Sequence, residues 1–347
     1  MKETPYKTFS WQTHKKNWRI KKPSACQFEL TFKCGLHCNY CYSDCYNKPA
    51  DIAKELGAKE VKSILDKVHR TGVIWLGFTG GDPLTRPDFL EIYSYAKNKG
   101  FIVTIFTNAY SMTKEIAKFL KKKTPFVIEI TLNAMTEAAY EKMSQVKGSF
   151  AKTMEGVRLI SSFKLPLKIK THITKDSARE MPKVKKFIED LGLEFAPTYA
   201  LNARLNGDLA PCALRLPPEE IAGGQESGCA DWATAKPAQR KPAGALFRCA
   251  VSGGDGIQID PYGNMLVCRL IRKPAFNLFQ VDIDYAKNAL LAWIRNSKFT
   301  TASPCNGCNL RQDCYWCPGK AYIEQGNLEQ PIDFYCELAH RAAAARR

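Results

Sequence analysis

Cys34, Cys38 and Cys41 stand at the spacing C-x3-C-x2-C in the stretch TFKCGLHCNYCY. Three thiolates so placed can wrap one face of a cubane iron–sulfur cluster. Such clusters normally take four cysteines, so a three-cysteine set leaves one iron open to a ligand that is not protein. That open iron is where chemistry can happen. Zinc is the competing use, and its sites usually pair C-x2-C knuckles. Cys38 and Cys41 make one such knuckle, with Cys34 or Cys45 to add. A disulfide framework fits less well, because Met1 to Trp18 carries several lysines but no apolar run of a secretory signal. No stretch approaches the roughly 18 apolar residues of a membrane span. The expectation is a cytoplasmic chain with reduced thiols, and its 14 cysteines exceed what packing alone would use.

The elements that must position this loop read as repeated strand–helix units from Cys26 to about Ala200. Strands are expected over Gln27–Phe32, Val73–Phe78, Phe101–Phe106, Phe126–Leu132, Leu167–Ile173 and Glu194–Tyr199. Helices fall between them, over Lys54–Arg70, Pro87–Lys99, Thr113–Lys123, Glu137–Phe163 with a break near Gly148, and Ala178–Leu191. Val61, Ile64, Leu65 and Val68 recur at helical spacing, and Gly72, Gly100 and Gly192 supply stops. Alternation of this kind argues for an α/β fold with parallel βαβ units. Six units are too few for a full eight-stranded barrel and fit a partial (β/α)6 one, whose ligands would sit at the C-terminal strand ends as in closed barrels.

Residues after those strands have the right character. Thr79-Gly80-Gly81-Asp82-Pro83 follows the second strand, and two glycines allow close approach of backbone to a ligand. Thr107 and Asn108 end the third strand, and Thr131 and Asn133 the fourth. Such small polar groups can hydrogen-bond a sugar hydroxyl or a carboxylate. Thr171 and His172, near the fifth, are weaker candidates, since a lone strand histidine is usually structural.

A second cysteine array follows. Residues 201–248 are rich in Ala, Gly and Pro and read as a linker or active-site cover holding Cys212 and Cys229. From Cys249 thirteen residues lead to Gly263, and four more to Cys268. Ile257–Asp260 and Met265–Val267 flank the turn Pro261-Tyr262-Gly263-Asn264, a β-hairpin. Then come Cys305, Cys308, Cys314, Cys317 and Cys336.

The triad, with Gly80-Gly81-Asp82, resembles the signature of the radical S-adenosylmethionine (SAM) enzymes. The later array resembles their cysteine-rich SPASM extension, although the usual C-x2-C-x5-C-x3-C core is here one residue shorter before Cys317. The resemblance covers Cys26 to Cys336. It implies a basic arm over 1–22, a barrel over 23–200, the linker over 201–248 and a small SPASM domain with a hairpin and short helices over 249–347. It implies three [4Fe–4S] clusters and SAM. Cys34, Cys38 and Cys41 would bind the first cluster. Cys305, Cys308, Cys314 and Cys336 would bind an outer auxiliary cluster. Cys249, Cys268 and Cys317 would bind an inner one, with Cys229 or Cys212 as a fourth ligand or an iron left open. Gly80, Gly81 and Asp82 correspond to a GGE motif that holds the amino group of SAM, Asp82 being one methylene shorter. Tyr40 would lie against the adenine, with Thr107, Asn108 and Asn133 near the ribose or carboxylate. The family's chemistry is one-electron cleavage of SAM to a 5′-deoxyadenosyl radical that abstracts hydrogen from a substrate C–H bond.

The formal charge is +17, from 51 basic and 34 acidic residues. Each four-thiolate cluster carries about −2, so three clusters would remove roughly five charges and leave a basic protein. Such a field favours acidic partners. The expected substrate is a ribosomally made peptide or a protein side chain, with a small molecule such as a haem precursor as the alternative and a multi-cluster electron carrier as the non-enzyme reading. Only 33 residues precede Cys34, too few for a fused peptide-recognition module, so a separate recognition protein is expected for a peptide. A flavodoxin or ferredoxin would supply electrons. A nucleic-acid partner is not expected: HKKNWRIKK (His14–Lys22) has some of that flavour but reads better as a solvated arm.

Overall fold

The structure is a computed structural model and describes residues 5–20, 22–223, 244–248 and 256–345. Six parallel strands form the sheet's main body: β1 (Ala25–Thr31), β2 (Trp75–Gly80), β3 (Ile102–Thr107), β4 (Val127–Thr131), β5 (Leu167–His172) and β6 (Ala196–Thr198). Each is joined to the next through helix, as the alternation requires. On one face Cys26, Phe28, Leu30, Leu76, Phe78, Val103, Ile105, Ile128, Ile130 and Ile169 pack against the helices. The helix Ala58–Arg70 contributes the predicted Val61, Ile64, Leu65 and Val68. It starts four residues later than the pattern suggests, because the Glu60 side chain caps the backbone N–H of Gly57 at 2.8 Å. The long helical region breaks where expected. Gly148, at φ +74°, separates Glu137–Ser144 from Ser149–Ser162.

The opposite sheet face is polar. Gln27, Gly77 and Phe106 crowd together on it, since a Cβ on Gly77 would sit 2.9 Å from the Phe106 ring and 3.5 Å from Gln27. Glu129 pairs with Lys170, whose ammonium lies over Phe106. Glu29 pairs with Arg272 at 2.7 Å. A lumen filled by ion pairs rather than by layers of Val, Ile and Leu can hold polar substrate and water.

Three features differ from the sequence expectation. β2 begins at Trp75, not Val73, and runs on to Gly80, because Thr79 and Gly80 pair with Glu29 and Thr31. The N-terminal residues read as a solvated arm contain a helix, Tyr6–Arg19. Its Tyr6 hydroxyl accepts from Trp75 Nε1 at 2.9 Å, its His14 stacks on Trp75 at 4.5 Å, and Tyr6 meets Phe126. Trp75 and Phe126 stand at the N-terminal ends of β2 and β4, so this helix closes the barrel bottom, away from the cysteine loop. Finally, the predicted hairpin, β7 (Gly256–Ile259) with β8 (Asn264–Cys268), does not stand apart. β7 pairs in parallel with β1, and β9 (Ile271–Asn277) continues the sheet in the order β6-β5-β4-β3-β2-β1-β7-β8-β9. The edge of β1, which six strands alone would leave open, is therefore covered.

Candidate active site and auxiliary cysteine site

The cysteine loop leaves the C-terminal end of β1 and is held by residues that carry no signature of their own. Asn47 accepts from Cys34 N–H at 3.1 Å and donates to the carbonyls of Cys34 and Leu36. Glu55 accepts from Phe32 N–H and the Thr31 hydroxyl, both at 2.6 Å. The N–H groups of His37 and Asn39 dock on the carbonyls of Ser144 and Met143. An asparagine thirteen residues from its partner gives no pattern to read, which is why these anchors escape sequence reasoning.

Gly80 and Gly81 are required by that same loop. Gly80 has φ +136°, and a Cβ on it would lie 2.0 Å from the Thr31 carbonyl oxygen. One on Gly81 would lie 2.4 Å from the carbonyl oxygens of Phe32 and Lys33. The N–H groups of Gly81 and Asp82 in turn donate to Thr31 and Lys33. The glycine pair thus lets the root of the cysteine loop lie on the end of β2. Gly80→Ala is expected to cost on the order of 3 kcal/mol through backbone strain and overpacking, read as a fall in the urea midpoint. An unchanged midpoint would show that the loop can move aside freely.

Asp82 is wholly buried, and its carboxylate is turned to protein. It accepts from Leu84 N–H at 2.9 Å, the Thr107 hydroxyl at 2.7 Å and Asn108 N–H at 3.1 Å. As placed, Asp82 ties the ends of β2 and β3 together. Asn108, held by that tie, donates its side-chain amide to Cys34 Sγ at 3.2 Å. Burial pushes the Asp82 carboxyl up to about 6 from 3.8, against the pull of its three donors. The neutral form is thus favoured by folding. Its stabilisation is fully present below about pH 3.8 and is lost as pH rises through about 6. Urea midpoints of the iron-free protein should fall over this window, by on the order of 3 kcal/mol from Asp82 alone. Asp82→Asn, neutral throughout, should lack that segment; identical pH profiles would remove Asp82 as its source.

The other strand-end candidates divide into two kinds. Asn133 is 3 % exposed. Its Oδ1 accepts from His172 N–H at 2.8 Å, while its Nδ2 is buried without a hydrogen-bond partner among the described residues. Thr171 is spent on the Leu132 carbonyl. Tyr40 is half-buried, its ring 5.9 Å from that of His172. Burial and the nearby charges of Lys170 and Arg269 press His172 down to about 4, so it is neutral at physiological pH, and its Nδ1 has no partner. His172 therefore belongs beside Asn133 at the mouth of the lumen, a placement the sequence only hinted at.

The thiols themselves are half-buried. Burial raises all three, Cys38 to about 12. They remain neutral until a metal draws off their protons. Among the described residues no three His, Cys, Asp or Glu side chains converge on a single ion. A cluster asks for less convergence, because each thiolate takes a different iron. Three thiols on one loop, an amide donor already on Cys34 Sγ, and an unpartnered buried amide on Asn133 fit an iron–sulfur cluster beside a polar cofactor.

The second array assembles from separate segments. Cys305, Cys308, Cys314 and Cys336 line one cavity of about 370 Å³, counting its open mouth, together with Arg311, Trp316, Ile332 and His340. Glu329, 7 % exposed, accepts from the N–H and hydroxyl groups of Thr300 and Thr301, and its carbonyl accepts from the Ser303 hydroxyl, which fixes the chain just before Cys305. Cys317, three residues past Cys314, does not line that cavity. It caps the helix Pro318–Gln325, and a Cβ on Gly319 would lie 3.6 Å from Cys268 Sγ. Cys268 and Cys212 both pack on the small cluster of Ala203, Leu270 and Ile323. Cys229 and Cys249 lie outside the described residues.

Residues 28–188 match the description "Radical SAM superfamily". Among curated relatives, an AdoMet-dependent heme synthase of Methanosarcina barkeri is 28 % identical over 170 residues, 49 % of this chain and 48 % of that protein. A PqqA peptide cyclase of Streptomyces rochei is 27 % identical over 205 residues, 57 % of this chain and 55 % of that protein. The chain thus matches about half the length of these relatives. The likeness of fold extends further along the chain. Streptococcus suis SuiB bound to S-adenosylmethionine superposes with a TM-score of 0.66 at 16 % identity, over 97 % of this chain and 83 % of that one. The protein anSMEcpe, solved with AdoMet and the Cp18Cys peptide, superposes with a TM-score of 0.65 at 15 % identity, over 93 % and 97 %. No helix among the described residues is long and apolar enough to cross a membrane.

Proposed function

We propose that this chain is a radical SAM enzyme that modifies a peptide or a protein side chain by hydrogen abstraction, with three [4Fe–4S] clusters, two of them in a SPASM-type C-terminal region. The observation that carries the auxiliary part is the convergence of Cys305, Cys308, Cys314 and Cys336 on one cavity. When bound, the first cluster and SAM supply an electron and a 5′-deoxyadenosyl radical. This chain's residues do the positioning. Cys34, Cys38 and Cys41 hold the first cluster from the loop above β1, and Asn108 donates to the Cys34 sulfur. Asn133 offers its free amide N–H at the end of β4, suited to the carboxylate or ribose of SAM. Thr107 and Asp82 serve Asn108 rather than the cofactor directly, and Gly80 and Gly81 seat the loop. The Glu29–Arg272 and Glu129–Lys170 pairs line the lumen with fixed charge. Cys268 and Cys317 hold the inner auxiliary cluster with Cys249, the fourth position taken by Cys212 or Cys229 or left as an open iron; Cys212 and Cys268 pack on the same small apolar cluster. The basic charge steers an acidic peptide, directly or on a separate recognition protein, and a flavodoxin or ferredoxin donates the electron in the cytoplasm.

Support for a peptide comes from a curated relative named a peptide cyclase and from a similar fold solved with a peptide bound. The heme synthase relative keeps a haem precursor as the second reading. The test incubates reconstituted protein, SAM and reductant with peptides encoded beside its gene, and separately with an iron porphyrin. A peptide mass change matched by 5′-deoxyadenosine supports the proposal. Turnover of the porphyrin with no peptide modified assigns the small-molecule reading.

A further inference from the structure

Among the described residues, Arg311 has no counter-ion. It is 7 % exposed. One guanidinium nitrogen, Nη2, donates to the carbonyls of Ala245 at 3.0 Å and Leu246 at 2.6 Å. The guanidinium lies 4.5 Å from the Phe299 ring centroid and 5.3 Å from that of Trp316. Its other terminal nitrogen, Nη1, is buried with no hydrogen-bond partner among the described residues. Among the described residues no carboxylate pairs with it. The largest influence of a charged group on it comes from another cation, Arg248, whose own Nε is also buried and unpartnered among the described residues. Burial and Arg248 press Arg311 down to about 10, still protonated at neutral pH, while Cys305 and Cys308 pull the other way. A buried arginine with an orphan donor and a like-charged neighbour is costly, unless an anion stands where Nη1 points. The wall it forms belongs to the cavity of Cys305, Cys308, Cys314 and Cys336.

We propose that Arg311 is a positioning and tuning residue for the outer auxiliary cluster: its Nη1–H donates to a cluster or cysteine sulfur, and its fixed charge raises that cluster's reduction potential. The inference rests on the reading of those four cysteines as cluster ligands. Four thiolates give a [4Fe–4S]2+ centre a net charge of about −2, and reduction adds one electron with no bond made or broken. A cation held in a poorly solvated wall favours the more negative state. Arginine suits this role because it stays charged when buried and splits its donors between two targets. Here Nη2 serves the backbone and Nη1 the sulfur.

The test compares wild type, Arg311→Lys and Arg311→Gln as reconstituted holoproteins. Iron content comes first, because loss of iron on changing Cys305 and Cys336 establishes the outer cluster independently of Arg311. Redox titration by electron paramagnetic resonance should then show the outer cluster of Arg311→Gln at least tenfold harder to reduce, a shift of about 59 mV for one electron, with Arg311→Lys between. In 15N-arginine-labelled wild type, the reduced outer cluster should show a weak 15N coupling that both variants lose. Potentials equal in all three proteins, with iron intact, would leave Arg311 as a strut for the 245–246 carbonyls and overturn the proposal. If the variants fail to hold the cluster, the labelled wild type still decides: no arginine 15N coupling refutes it. Absence of iron at the four cysteines in wild type would instead refute the cluster reading itself.

Discussion

Changing Cys34, Cys38 and Cys41 together to alanine is expected to remove about four irons of roughly twelve per chain and to abolish SAM cleavage. The protein should stay folded. Besides the bonds that Cys34 Sγ accepts from Asn108 and from Leu36 N–H, the loop has anchors that do not use its thiols: Asn47 and Glu55 bind its backbone, and Ser144 and Met143 receive His37 and Asn39. The Cys305–Cys336 cavity lies in another part of the chain and should keep its iron. Anaerobic reconstitution, iron analysis and chromatographic assay for 5′-deoxyadenosine measure all of this. A triple variant that still releases 5′-deoxyadenosine would put the radical chemistry elsewhere. A wild type that takes stoichiometric zinc and no iron would return the loop to the zinc-knuckle reading.

Arg215→Ala is expected to destabilise the protein by about 3–5 kcal/mol, the usual cost of leaving one member of a buried pair alone. Arg215 makes a bidentate contact with Glu324, at 2.9 and 2.5 Å. Both side chains are almost fully buried. The guanidinium also donates to the Leu201 carbonyl and the Tyr335 hydroxyl, and lies 4.8 Å from the Phe334 and Tyr335 ring centroids. One arginine thus clamps the segment after β6 to the helices Pro318–Gln325 and Asp333–Ala344. Arg215→Lys should recover part of the loss, since it restores charge but not the fork. The double change Arg215→Met with Glu324→Leu should recover more, because no charge is then stranded. Urea unfolding followed by tryptophan fluorescence measures the series. An Arg215→Ala midpoint within about 1 kcal/mol of wild type would mean Glu324 reaches water when released.

Much of the site was legible because its signals are short-range. Three cysteines within eight residues share a loop whatever the rest of the chain does. Val61, Ile64, Leu65 and Val68 declare a helix face by their spacing, and the glycine pair after VIWLGF marks a strand end. The misreadings share a cause. Asp82 was expected to face a cofactor, and the side chain turned instead to Thr107 and Asn108, twenty-five residues on. The helix Tyr6–Arg19 looked like a solvated arm because its few aromatics are scattered among lysines. Only the exposed rim of Trp75 and Phe126 gives those rings a place to pack.

The sequence by itself therefore determined the parts: the alternating strands and helices, the cysteine loop, the hairpin turn and the identity of the thiols. Backbone propensity and residue spacing act over a few residues and survive without the rest of the molecule. Tertiary structure decided which parts meet. It set β7 in parallel against β1, brought Cys336 from a C-terminal helix to a knuckle some thirty residues earlier, and placed Arg311 in the wall of the four-cysteine cavity. Those outcomes depend on burial and on which buried donors find partners, and both are properties of the assembled core.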